Sequence, residues 1–439
     1  MLPQKNIKLA NVIEFVLLFL FLSVDFNCGF HSREKVQINF WTMGAEAEHV
    51  QKLTKEFEEL NPNISVKVQA IPWTAAHEKL ITAYASGTTP DIVQMGNTWI
   101  PEFVALNSLE KLNSYVKDSK VISDTNYFNG IWKSNFIGDD LYGVPWYVDT
   151  RVLFYRTDIL KRAGYSSPPK TWEELYDVCK RIKKLNNNKA KYSIFIPTNE
   201  WAPFIILGLQ SGAKLLKDNN SMGDFSNPDY KTAFKFLIKF FKENLAPVDI
   251  TEVSNLYQAF SSGFFAMYIT GPWNVEEFKR RLPDSLRYSW MTAPLPALDG
   301  HHYPGLSLAG GSSLSIFKTS EHKKEDWKLV EYLSRRESQI EFYHLSTDLP
   351  AVMSAWEDPA LKRDKYLTAF YEQLQNVIPM PQVPEWEQIV SSKVQQYAEY
   401  AARGKETPDE ALRLLDKDVN KILEKRRWML SNGTKKNSK

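Results

Sequence analysis

The segment between residues 36 and 95 switches repeatedly between two hydrophobic periods, and this switching limits the possible folds more than any other feature. Residues 36–41, 64–70 and 91–95 are apolar at alternate positions or nearly throughout, which is typical of β-strands. Residues 46–60 and 75–85 lie between them and carry apolar side chains on one helical face. Strand–helix–strand repeats of this length predict parallel β-α-β units with right-handed crossovers, and therefore an α/β fold.

The carboxyl ends of these predicted strands are where a ligand is expected, because open α/β sheets bind ligands beyond that edge. The first strand ends at Trp41, and the third runs into Asn97 and Trp99. Both rings offer flat apolar faces with a polar edge. Asn97 has two interpretations, since its amide can bond a ligand hydroxyl or cap a turn.

The length of 439 residues is too great for a single core, so two lobes are expected. A long extended stretch from residue 141 to residue 155 is long enough to serve both lobes and act as a hinge. The sequence has no low-complexity linker. We therefore expect the chain to cross between the lobes more than once.

The first residues of the chain predict a cleaved export signal, and the last residues predict a polar tail. Residues 15–24 form an apolar run behind a basic start, and this run is well short of the roughly 20 residues that span a bilayer. Residues 1–28 are therefore interpreted as a signal peptide for export. Cys28 follows the run and resembles a bacterial lipoprotein processing site, whereas the alternative is a plain signal peptide with an incidental cysteine. Residues 431–439 form a polar tail.

Composition excludes several classes of function. The formal net charge of +2 provides no field for nucleic acid. Two cysteines, of which Cys179 lies in a helical pattern, allow no disulfide framework and no cysteine-based metal site. The sequence has no nucleophile elbow, zinc-protease motif, phosphate loop or dinucleotide fingerprint. We therefore expect no cofactor, no metal and no catalysis.

Several ordered motifs carry a resemblance to a known family. They are residues 86–93 (SGTTPDIV), 141–145 (LYGVP), 153–160 (LFYRTDIL), 169–175 (PKTWEEL) and 266–273 (AMYITGPW). In this order and spacing the chain resembles the family 1 extracellular solute-binding proteins of ATP-binding-cassette importers, the maltose-binding-protein-like group. The resemblance covers nearly all of the chain after residue 35.

The resemblance implies a two-lobed periplasmic-binding-protein fold of the class II type, with hinge crossovers and a ligand cleft between the lobes. We expect an N-terminal lobe of residues 36–148 plus 297–347 and a C-terminal lobe of residues 149–296 plus 348–430. The implied protein is a monomer in the periplasm or on the cell-envelope surface. Its implied partners are a sugar ligand and the membrane permease subunits of the importer.

The same resemblance implies most of the ligand contacts. Asp149 matches an acidic contact of the maltose group, Glu200 matches another more loosely, and Trp273 matches a ring that stacks on sugar. A stacking Trp is also implied near Trp386. The remaining candidates, which lie beside these or beside a predicted turn, are Tyr147, Trp201, Gly310 and Gly311.

Two other functions stay open from the sequence. A binding protein of the same fold for a non-sugar solute such as a polyamine also suits aromatic rings and acids. An exported glycan-cleaving enzyme needs two carboxylates flanking the bond, and Asp149 with Glu200 is the available pair. Anionic ligands are disfavoured, because they require Arg side chains or helix N-termini at the site.

Overall fold

The computed structural model describes residues 35–185 and 192–436. The predicted signal peptide and Cys28 lie outside the described residues, as do residues 437–439. The polar tail expected from residue 431 begins as helix, because the last helix continues to Lys436. No helix within the described residues combines the length and apolar character needed to cross a bilayer.

Strands alternate with helices along most of the described chain. The strands are β1 Val36–Met43, β2 Ile64–Ile71, β3 Ile92–Gly96, β4 Phe136–Ile137, β5 Asp140–Leu141, β6 Val144–Asp149, β7 Val152–Arg156, β8 Ile194–Phe195, β9 Leu216–Lys217, β10 Met222–Gly223, β11 Met267–Thr270, β12 Trp290–Ala293, β13 Ser307–Leu308, β14 Gly310–Ile316, β15 Leu349–Pro350 and β16 Val377–Ile378. The helices are α1 Glu46–Leu60, α2 Trp73–Ser86, α3 Ile100–Ala105, α4 Asn113–Asp118, α5 Asn129–Lys133, α6 Thr157–Arg162, α7 Trp172–Leu185, α8 Ala202–Gln210, α9 Pro228–Lys242, α10 Leu256–Ser262, α11 Trp273–Arg281, α12 Lys323–Leu333, α13 Arg336–Ser346, α14 Pro359–Arg363, α15 Thr368–Leu374, α16 Trp386–Gln388, α17 Gln395–Ala402, α18 Pro408–Ile422 and α19 Glu424–Lys436. The π-helical segment Ile389–Val394 joins α16 to α17.

The first sheet has the strand order β15-β6-β14-β3-β1-β2. Strand β1 pairs in parallel with β2 on one side and with β3 on the other, so the predicted parallel β-α-β units are confirmed. Strand β14 runs antiparallel between β3 and β6. The antiparallel half of the sheet comes from distant parts of the chain, which no local periodicity encodes.

The second sheet has the strand order β12-β7-β11-β8. Strand β7 pairs antiparallel with both β11 and β12, and β8 pairs in parallel with β11. The long extended stretch of the sequence is therefore two strands, since β6 belongs to the first sheet and β7 to the second. Thr150 and Arg151 connect them.

Two crossovers between the sheets lie against each other. The Thr150 hydroxyl of the first crossover lies 2.9 Å from the Ser307 hydroxyl of the second and donates to the Leu308 carbonyl at 2.9 Å. Strand β15 pairs with β6, which places residues 349–350 in the first sheet rather than in the second lobe where the sequence assignment put them. The other lobe boundaries stay a prediction.

A stack of aromatic rings fills the core between the second sheet and the chain around residue 366. Trp290 is only 1% exposed. Its ring lies 4.0 Å from the Tyr366 ring and 5.9 Å from the Phe154 ring, nearly parallel to both. A buried indole between two rings leaves a large cavity when it is removed.

We expect Trp290→Ala to lower the free energy of unfolding by about 3–5 kcal/mol, because both the ring contacts and the filled volume are lost. Urea denaturation monitored by circular dichroism measures this change. The matched control is Trp428→Ala, since Trp428 is 66% exposed and should change stability by no more than about 0.5 kcal/mol. Equal effects of the two substitutions would contradict the proposed packing role of Trp290.

Candidate ligand-binding site

A cleft of about 640 Å³ lies where the two sheets and their crossovers meet, and its size is in the usual range for small-molecule sites. The first sheet contributes the ends of β3 and β6 and the start of β14. The chain before α8 and the start of α11 border the cleft from the side of the second sheet. The lining residues that sequence analysis predicted are Asn97, Trp99, Tyr147, Asp149, Trp201, Trp273, Gly310 and Gly311. Their roles as ligand contacts stay a prediction.

Three predicted residues do not line this cleft. Glu200 is adjacent to it, with its Oε1 atom 3.6 Å from the Arg151 Nη2 atom. Trp41 is half-buried beside the core around β1 and α2, with the Lys79 ammonium 5.1 Å from its ring. Trp386 is 0% exposed and packs in the core with the helices around it, so the expectation that it stacks on ligand is corrected. Its neighbour Glu387 lines the cleft instead.

Trp273 is the most exposed of the tryptophan rings lining the cleft, at 49%. It begins α11 directly after Gly271-Pro272. A Cβ atom at Gly271 would overlap the Trp273 ring, so glycine is needed there for the ring to lie against the backbone. The ring is held by this close approach while much of its surface faces the cleft.

Trp99 exposes less of its ring surface than Trp273 does. Its ring is buried and contacts the Trp73 ring edge-on at 5.8 Å and the His77 ring at 5.3 Å. Trp73 is itself partly exposed and lines the cleft. The indole wall of the first lobe is therefore a tryptophan pair, of which only Trp99 follows a predicted strand end.

Arg151 is a cleft residue that sequence analysis missed. Its Nη1 atom donates to the Asp149 Oδ1 atom at 2.9 Å, and its guanidinium carbon lies 4.6 Å from the centre of the Trp273 ring. The sequence did contain a signal for Arg151, because it is a cation two residues after an acid in a mostly apolar strand, and a buried charge needs a partner. Arg151 is the sole cation among the described residues that line the cleft.

Asp149 lies at the end of β6, and its environment sets its charge. Burial raises the pKa of its carboxyl, and the charge of Arg151 and the backbone N–H of Gly311 act in the opposite direction. Gly311 has a φ of +119°, and a Cβ there would clash with the Tyr147 carbonyl. The close approach of β14 to β6 thus depends on glycine and brings a backbone donor to the acid.

A second acidic group, also missed from sequence, lies on the first-sheet side. The Tyr147 hydroxyl donates to the Glu46 carboxylate at 3.0 Å, and Trp73 Nε1 donates to the same oxygen at 3.3 Å. Asp348 lies near Glu46, and burial, together with the negative charges of Glu46 and Asp149, raises the pKa of Asp348 to about 8. The wall therefore has a fixed carboxylate beside an acid that holds a proton near neutral pH.

One polar contact spans the cleft. The Thr98 hydroxyl, from the first sheet's edge, donates to Glu387 Oε2 at 3.0 Å. Burial raises the pKa of Glu387, and the Thr98 hydrogen bond and the nearby His77 imidazole oppose that effect. His77 also bonds Glu102 at 2.6 Å. Elements from the two sides thus touch at this edge of the cleft.

The chemistry of the lining suits an uncharged polyhydroxylated ligand or a cation. The described residues contain no cluster of side chains able to hold a metal ion. Aromatic faces pack against apolar C–H surfaces, and carboxylates accept strong hydrogen bonds from hydroxyls or ammonium groups.

Comparison with known proteins agrees with this architecture. The model of the bacterial extracellular solute-binding protein family matches residues 44–340. The chain belongs to this family. The predicted family and the predicted two-lobed α/β fold are confirmed, and the extracellular character of the family agrees with the predicted export.

Three proteins that are similar to this solute-binding protein illustrate the match. The sugar-binding protein MalE from Xanthomonas citri is 44% identical, with a TM-score of 0.86 over 90% of this chain and 99% of that one. A solute-binding protein from Thermotoga lettingae, bound with α-D-tagatose, is 28% identical with a TM-score of 0.73, covering 89% and 100% of the two chains. The galactooligosaccharide-binding protein of Bacillus subtilis is 26% identical over 85% of this chain and 86% of its own.

We expect Asp348→Asn to flatten the pH dependence of stability. The folded pKa of about 8 exceeds the ordinary value of 3.8, so the folded state holds an extra proton between these values. The free energy of unfolding therefore falls as the pH rises through this range. Melting temperatures of the two proteins, measured between about pH 5 and pH 9, should diverge in favour of the variant at the alkaline end.

The control for this prediction is Asp118→Asn at an exposed position on α4. This control should follow the wild-type pH profile. A profile for Asp348→Asn that parallels wild type throughout would show that Asp348 is ionised in the folded protein.

Proposed function

We propose that this solute-binding protein captures a sugar, either a mono- or an oligosaccharide, in the cleft between its lobes and delivers it to the membrane subunits of an ATP-binding-cassette importer. The observation that carries the proposal is the combination of the exposed Trp273 ring with the Asp149 carboxylate in one cavity. A pyranose presents an apolar face and a rim of hydroxyls, which this pair complements. The relatives from Xanthomonas citri and Bacillus subtilis are a sugar-binding protein and a galactooligosaccharide-binding protein, which supports a sugar ligand.

The proposed cycle uses closure of two lobes about the paired crossovers. The N-terminal lobe is residues 36–148 plus 297–347, to which Asp149 and β15 are added, and the C-terminal lobe is the remainder to residue 430. Hinge closure around a ligand is a common mode for two-lobed binding proteins. We propose that the closed monomer is the form recognised by the permease, in the periplasm or at the cell-envelope surface, with Cys28 as the candidate lipid attachment point.

A cationic solute such as a polyamine is the second candidate, and the charge balance of the lining favours it. Glu46 and Glu387 line the cleft in addition to Asp149, whereas Arg151 is the one cation there among the described residues. Glycan cleavage has less support. Arg151 contacts both Asp149 and Glu200, and a guanidinium shared by two carboxylates opposes the protonation that a general acid needs.

A thermal-shift panel separates these functions. A ligand that binds only the folded state raises the melting temperature, so some mono- or oligosaccharide should do so if the first proposal holds. A rise with polyamines and none with sugars would favour the second candidate. An oligosaccharide recovered in shortened form would favour cleavage, and chromatography of the ligand after incubation detects it.

We expect Trp273→Ala to weaken binding of the stabilising sugar by at least about tenfold, because a stacking surface that faces the cleft is removed. Isothermal titration calorimetry measures the loss. The melting temperature of the ligand-free protein should change little, since the ring is half-exposed. Trp428→Ala, which removes an exposed ring outside the cleft, is the matched control, and wild-type affinity in Trp273→Ala would remove this residue from the site.

A further inference from the structure

Arg151 lies at the point where the chain passes from the first sheet to the second. Strand β6 ends at Asp149 and β7 begins at Val152. The backbone of Arg151 is bonded to the other crossover through Ser307, whose hydroxyl donates to the Arg151 carbonyl at 3.1 Å and accepts from its N–H at 3.3 Å. The position of Arg151 is therefore set by both crossovers together.

The side chain of Arg151 contacts residues in and beside the cleft from three separate elements. These are Asp149 at the end of β6, Glu200 in the chain before α8, and the Trp273 ring at the start of α11. The side chain is only 11% exposed, so its charge depends on these partners rather than on water. One guanidinium thus connects an acid of the first sheet with an acid and a ring on the side of the second.

The arrangement favours a role in orienting other groups. A planar guanidinium can bond carboxylates at its edge while its face lies against an aromatic ring, which an ammonium cannot do. The charges facing Asp149 are Arg151, Glu200 and Asp348. Arg151 is the cation among them, and it opposes the effect of burial and of both neighbouring acids on Asp149.

We infer that Arg151 is a positioning residue that keeps Asp149 ionised and oriented and fixes the Trp273 ring, so that the ligand-binding groups are set from the crossover between the lobes. The expected effect of Arg151 on sugar affinity rests on the proposed function. Its effect on Asp149 is independent of the ligand. Loss of Arg151 removes the charge that opposes protonation, so the Asp149 carboxyl takes up a proton at a higher pH.

Two variants separate the charge of Arg151 from its shape. Arg151→Gln removes both, whereas Arg151→Lys keeps the charge and loses the planar fork. Calorimetric titration with the sugar that stabilises wild type, between about pH 5 and pH 8, should show Arg151→Gln at least about tenfold weaker and losing affinity at a higher pH than wild type. Arg151→Lys should keep the wild-type pH profile while binding more weakly than wild type.

The matched control is Arg181→Gln, which removes an exposed arginine that pairs with Asp177 on α7. It should bind as wild type does. Wild-type affinity in Arg151→Gln overturns the inference. The inference is also overturned if Arg151→Gln loses the same factor of affinity at every pH and Arg151→Lys shows the same loss. If Arg151→Gln does not fold, the lysine variant decides the test, since wild-type affinity in that protein leaves no role for the guanidinium.

A ligand-free measurement distinguishes failure of this inference from failure of the proposed function. The Asp149 carboxyl resonance, assigned by comparison with Asp149→Asn, can be titrated by carbon NMR in ligand-free protein. Its midpoint should rise in Arg151→Gln and return towards wild type in Arg151→Lys. An unmoved midpoint overturns the inference even if sugars bind, whereas a shifted midpoint in a protein that binds no sugar supports it and removes only the proposed function.

Discussion

The pairing of β14 with β6 is the interaction on which the cleft depends. It places Gly310 opposite Asp149 and Gly311 opposite Val148, at the edge where both crossovers leave the first sheet. Gly311 adopts a backbone conformation that side chains disfavour, and its lack of a Cβ lets the strand approach the Tyr147 carbonyl. Without this approach the backbone donor to Asp149 would be lost, and the two crossovers would separate.

The charge distribution follows from that geometry. Asp149, Asp348 and Glu387 are partly shielded from water in the cleft, and burial raises the pKa of each carboxyl. Different neighbouring groups oppose this effect of burial at each acid. Arg151 and a backbone N–H oppose this effect at Asp149, and the Thr98 hydroxyl opposes it at Glu387. At Asp348 the Ser346 hydroxyl opposes it, but the pKa still rises to about 8. A ligand rich in hydroxyls therefore meets several acids with raised pKa values in one cleft.

Sequence analysis predicted the cleft residues that follow strand ends or recognisable motifs, such as Trp99, Asp149 and Trp273. It missed Glu46 and Asp348, because one begins an ordinary amphipathic helix and the other lies in a short loop after a helix. It was wrong about the side-chain direction of Trp386. A residue near the start of a helix can face the core or the cleft. The Trp386 side chain packs in the core against the surrounding helices.

The sequence by itself determined the α/β class, the parallel β-α-β start and the family, because hydrophobic period and motif order are local properties of the chain. Only the tertiary structure decided that β14 lies between β3 and β6, that Arg151 joins two acids and a ring, and that Asp348 lies beside Glu46. These contacts join residues that are distant in sequence or depend on side-chain direction. They are fixed by how buried faces and charges are satisfied together once the two sheets meet.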